Sequence, residues 1–72
     1  MESRLTIIFE KGENGWWIAE IPEIPGAFSQ GATKEEARAN VLDAMRELME
    51  FRRQEAVDNV DQANVETIQL AS

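Results

Sequence analysis

Apolar and polar residues alternate from Arg4 to Glu10, placing Leu5, Ile7 and Phe9 on one side and Arg4, Thr6, Ile8 and Glu10 on the other. A period of two predicts a strand, and Ile8 gives the second side some apolar character. Lys11–Gly15 follows as a turn, with Asn14-Gly15 as its hairpin signal. A second strand, Trp16–Ile21, completes an antiparallel hairpin. Neighbouring residues on a strand point to opposite faces, so the two tryptophans separate. Trp17 shares parity with Ala19 and Ile21 and is assigned to the core; Trp16 joins Ile18 and Glu20 on the far face, beside Ile8.

The stretch Pro22–Ala37 organises the chain. Pro22 and Pro25 lack a backbone N–H and do not continue a central strand. Gly26 after Pro25 marks a turn, and Ala27–Gln30 is a short third strand ended by Gly31. Thr33 with Glu36 three residues on reads as a capping box, in which the Thr33 hydroxyl accepts from the Glu36 N–H and the Glu36 carboxylate reaches back to the Thr33 N–H. The helix predicted from Thr33 runs to about Gln54, with Ala37, Val41, Ala44, Met45 and Leu48 as its apolar stripe, widened by Leu42 and Met49. Arg52 and Arg53 suit its negative end. Glu55–Asn64 is polar and fits either a further turn of helix or a loop; Val65–Leu70 alternates again and predicts a last strand. The expected architecture is one α+β domain over residues 1–72, β-β-β-α-β, with one helix packed on a small, mainly antiparallel sheet.

With 72 residues and no cysteine, the chain has little core and no disulfide, so self-association is the expected support. The absence of histidine and cysteine removes the commonest general base, nucleophile and metal ligands. No catalytic, cofactor or metal residues are assigned. Glu10 and Glu20, of one facing parity on neighbouring strands, are the one carboxylate pair that fits Mg²⁺ or acid–base work, and two solvated strand-end acids explain them more simply. Fourteen acidic residues against seven basic give a charge of −7, which disfavours direct nucleic-acid binding and suits a basic protein partner. No apolar run is long enough for a membrane span, and the N-terminus does not read as a signal peptide, so a cytoplasmic location is expected. Ile8, Trp16, Ile18 and Glu20 form the candidate interface; Pro22, Pro25, Gly26, Gly31, Thr33 and Glu36 form the structural motif.

The run Gly15-Trp16-Trp17-Ile18-Ala19-Glu20-Ile21-Pro22-Glu23-Ile24-Pro25-Gly26, then Ser29-Gln30-Gly31-Ala32-Thr33 and Glu35-Glu36-Ala37, resembles the HicB-like antitoxin family. Ala27 and Ala32 depart from it, standing where many members carry Cys and Asp. The resemblance implies a degenerate ribonuclease-H-like fold without catalytic acids. It also implies assembly into dimers or tetramers, and neutralisation of a small basic HicA-type toxin that cleaves messenger RNA. Many members add a DNA-binding part; this chain stops soon after Leu70, so none is expected here. The alternative is an orphan homo-oligomeric binding module of unknown ligand.

Overall fold

A computed structural model describes residues 4–70. Three short strands, β1 (Ile8–Lys11), β2 (Trp17–Glu20) and β3 (Phe28–Gly31), form an antiparallel sheet in the order β1-β2-β3, followed by the helix α1 (Lys34–Asp58) and one 3-10 turn at Gln62–Asn64. The register places Ile8 opposite Glu20 and Phe9 opposite Ala19, and then Glu20 opposite Phe28 and Ala19 opposite Ser29. The first hairpin closes through Gly12 N–H to Trp16 C=O (2.7 Å) and Gly15 N–H to Gly12 C=O (3.0 Å), with Gly15 at φ +84°. The proline turn closes through Ile24 N–H to Ile21 C=O and Ala27 N–H to Ile24 C=O, both 3.0 Å, with Gly26 at φ +93°. Each of these two glycines occupies backbone space that a Cβ disfavours.

Alternation decides the core. Ala19, Ile21, Ala27, Ala37 and Val41 are fully buried, and Ile7, Phe9, Trp17, Ile24, Leu42, Met45 and Leu48 pack around them. Val41, Met45 and Leu48 recur at helical spacing, so one stripe of α1 meets one face of the sheet, mainly over β3 and then β2. At the helix start, Lys34 Nζ stands 5.4 Å from the Phe9 ring centre and 5.0 Å from that of Trp17. Met49, expected to widen the stripe, is exposed.

The capping box forms with one difference. Glu36 N–H donates to Thr33 Oγ1 (3.1 Å), but the Glu36 carboxylate accepts from Ala32 N–H (2.8 Å) and not from Thr33. The helix is also longer than its pattern predicts. Gln54 Nε2 bonds the Asp58 carboxylate and Asn59 Nδ2 bonds the Glu55 carbonyl, so polar side chains carry the backbone past Gln54 to Asp58. Its last turn holds no basic residue. Arg52 instead donates to the Pro25 carbonyl (2.5 Å), tying the helix to the proline turn.

The expected strand at Val65–Leu70 is absent, so the described chain is β-β-β-α. Val65 has extended dihedrals and alternation persists in the sequence, but a strand exists through its ladder, and this segment forms no ladder with the sheet. Ile68 and Leu70 are 70% and 78% exposed. The result is an elongated molecule, 50 × 27 × 16 Å, with a radius of gyration of 15.4 Å. A compact chain of this length would measure about 11 Å.

Candidate functional site

The sheet face opposite α1 carries Ile8 and Glu10 from β1, Ile18 and Glu20 from β2, and Phe28 and Gln30 from β3. Nothing among the described residues packs over it. Ile8 and Ile18 are exposed, Phe28 is 66% exposed, and Trp16, at the hairpin edge of the same face, is 44% exposed. Trp17, on the opposite face, packs against the core, as the parity of the strand requires. The register sets Ile8, Glu20 and Phe28 in one row and Glu10, Ile18 and Gln30 in the next, and Ile8, Glu10, Ile18, Glu20 and Phe28 line a shallow groove. A second depression beside it is lined by Ile18, Phe28, Ser29 and Gln30.

All four interface residues assigned from sequence, Ile8, Trp16, Ile18 and Glu20, are exposed. Phe28 is the residue that sequence reasoning missed. It is the one large apolar side chain of a four-residue strand, and only the pairing of Phe28 with Glu20 tells its side of the sheet. Exposed apolar patches are a common feature of contact surfaces, in which aromatic anchors dominate.

Glu10 and Glu20 do not oppose each other. Glu10 faces Ile18 and Glu20 faces Ile8, so the two acids are diagonal neighbours, about 7–8 Å apart in backbone terms. Among the described residues, no three acidic, histidine or cysteine side chains gather where they could hold a metal ion. The two carboxylates instead stand among the exposed apolar side chains, Glu20 on the central strand between Ile8 and Phe28 and Glu10 beside Ile18.

The motif residues support this face from behind. Gly31 is buried where the first turn of α1 crosses β3; a Cβ there would stand 2.7 Å from the Glu36 Cβ. Pro22, Pro25 and Gly26 build the turn that reverses the chain between β2 and β3. Within that turn Glu23 reaches Thr6, before β1. Its carboxylate accepts from the Thr6 hydroxyl (2.6 Å) and from the Thr6 N–H (3.0 and 3.1 Å). These bonds, the hydroxyl's first, hold the Glu23 carboxyl below its ordinary pKa. No helix among the described residues is long and apolar enough to cross a membrane.

A three-stranded antiparallel sheet backed by one helix, with an exposed apolar face interspersed with Glu10 and Glu20, makes this a small α+β protein. The chain belongs to the UPF0150 family. It is 40% identical over 47 residues to a UPF0150 protein of Thermoplasma acidophilum, covering 65% of this chain and 68% of that relative. It is 44% identical over 52 residues to a UPF0150 protein of Synechocystis sp., covering 72% of each. No family model and no solved structure matches the chain.

Proposed function

We propose that this protein is a non-enzymatic binding module, an antitoxin-like partner that covers and silences a small basic toxin of the HicA type, an RNase acting on messenger RNA. The observation that carries the reading is the open sheet face, where Ile8, Trp16, Ile18 and Phe28 lie exposed with Glu10 and Glu20 interspersed among them. An apolar face interspersed with carboxylates fits a partner whose apolar patch carries Lys or Arg within it. The overall charge of −7 draws such a partner in, and the resemblance of the Gly15–Gly26 and Ser29–Ala37 runs to HicB-like antitoxins names its class. Direct nucleic-acid binding, membrane attachment, metals and cofactors have no part in this reading, and a cytoplasmic location goes with it.

The test is calorimetric titration of this protein into the product of a small basic reading frame adjacent to its gene. The expected result is a stoichiometric complex that weakens as salt rises and is lost in Phe28→Glu. Absence of heat and of co-elution would overturn the reading. A second reading, a stand-alone homo-oligomer, is favoured by the elongated shape and the exposed apolar face. It is distinguished by sedimentation of this protein alone, with Trp16→Ala expected to weaken self-association.

A further inference from the structure

We propose that Val65–Leu70 adds as a fourth strand to the β1 edge of a second copy of this chain. It would run antiparallel to β1 and bring Glu66 opposite Lys11, Ile68 opposite Phe9 and Leu70 opposite Ile7. The inference stands on the edge and the tail, independently of the open sheet face.

The edge is available. Gly12 N–H bonds Trp16 C=O, so in this register Ile8 and Glu10 also turn their backbone groups toward β2. Phe9 and Lys11 therefore point theirs outward, and no hydrogen bond among the described residues takes them up. The β3 edge is different: Gln30, outward by the same logic from the Ile21–Ala27 bond, already has its carbonyl bonded by Asn40 Nδ2 at 2.8 Å. The helix is also offset over β3 and β2, leaving Ile7 and Phe9 half-buried beside the β1 edge. A strand laid there with two apolar side chains facing the helix would extend the core.

The tail fits. Glu66, Ile68 and Leu70 alternate on one side, as Lys11, Phe9 and Ile7 do on β1 when read backwards. Antiparallel pairing joins the single charge on each and matches apolar to apolar. Parallel pairing sets Glu66 beside Ile7 and Leu70 beside Lys11. Direction then selects the source. The helix starts at the hairpin end, with Lys34 over Trp17, and passes the opposite end at Arg52 and Pro25. A chain's own tail turning back along β1 from there would run parallel to it, in the mismatched arrangement. The matched one is open to the tail of another copy. Gln62 Nε2, bonded to the Val57 carbonyl (2.8 Å), and Asp61, whose carboxylate accepts from Ala63 N–H (3.1 Å), fix the exit turn with Ile68 and Leu70 exposed.

The chain has no cysteine, so engineered pairs report cleanly. Glu10 and Thr67 fall opposite each other in this register as a pair without mutual backbone bonds, the closer kind. Glu10→Cys and Thr67→Cys chains, mixed and oxidised, are expected to give a cross-linked heterodimer well above the homodimer formed by either alone. In the full chain, Ile68→Asp with Leu70→Asp is expected to raise the dimer dissociation constant at least about tenfold, a change of about 1.4 kcal/mol, with the circular dichroism of the monomer unchanged. Glu66→Lys is expected to weaken the dimer and Lys11→Glu to restore it. Closure of the link within one chain in a dilute Glu10→Cys/Thr67→Cys double variant would overturn the proposal. So would dimers in which Glu10→Cys and Thr67→Cys fail to cross-link, dimers that survive the Asp substitutions, and a chain that stays monomeric throughout.

Discussion

A Cβ placed on Gly31 would stand 2.5 Å from the backbone nitrogen of Ala37. The obstacle is main chain and not a flexible tip, so the first turn of α1 touches β3 through the missing side chain. Gly31→Ala must push the helix off the sheet at its start. Overpacking of this kind costs about 1–3 kcal/mol, which in a domain of this size lowers the melting temperature by several degrees. An unchanged thermal midpoint would contradict the close approach.

Thr33 holds the same helix start by hydrogen bonding, through its hydroxyl to Glu36 N–H. Thr33→Ala leaves that N–H to water and is expected to lose about 1 kcal/mol. Thr33→Ser, which keeps the acceptor, should retain most of the stability. Urea unfolding of the three chains measures the difference, and equal midpoints for alanine and wild type would refute the cap.

The Glu23–Thr6 clamp is a pH-dependent contact. The folded-state pKa of Glu23 is lowered by the Thr6 hydroxyl bond and then the Thr6 backbone bond. The stabilisation is therefore complete above the unfolded carboxylate pKa and is lost as pH falls through the lowered folded value. Thr6→Val removes the hydroxyl donor, and the Glu23 midpoint is expected to move up toward the ordinary carboxylate value in a carboxyl-carbon NMR titration. A midpoint unmoved by the substitution would mean that the hydroxyl does not set it.

Phe28 is expected to be the energetic centre of the open face. Its side chain makes little contact within the chain, so Phe28→Ser should leave the thermal stability of the monomer within about 0.5 kcal/mol. A binding anchor truncated in the same way typically loses 2 kcal/mol or more of affinity. If the substitution weakens folding and spares association, the side chain belongs to the core and not to the surface.

The parts readable from sequence are those with local rules. The hairpin at Asn14-Gly15, the turn at Pro25-Gly26 and the Thr33 cap each depend on a few consecutive residues, and the opposite facing of Trp16 and Trp17 follows from a period of two. What was not readable depends on partners distant in the chain. Thr6 and Glu23 are seventeen residues apart, and no pattern announces their contact. The outward side of Phe28 needed the β2–β3 register. The helix end stays open in the sequence because Glu55–Asp58 is polar and carries no apolar stripe, while side-chain bonds from Gln54 and Asn59 keep it helical. Val65–Leu70 has the alternation of a strand, but alternation does not supply the neighbour that makes one.

The bond from Arg52 to the Pro25 carbonyl divides α1 into two regimes. Before it, amide hydrogens should exchange with solvent only when the whole domain opens. After it, residues 53–58 are exposed except for a half-buried Val57, so their amides should exchange through fraying, orders of magnitude sooner. One uninterrupted helix would thus carry a step in protection just past the backbone bond donated by Arg52, and a ligand gripping its distal turns would register as a slowing confined to that stretch.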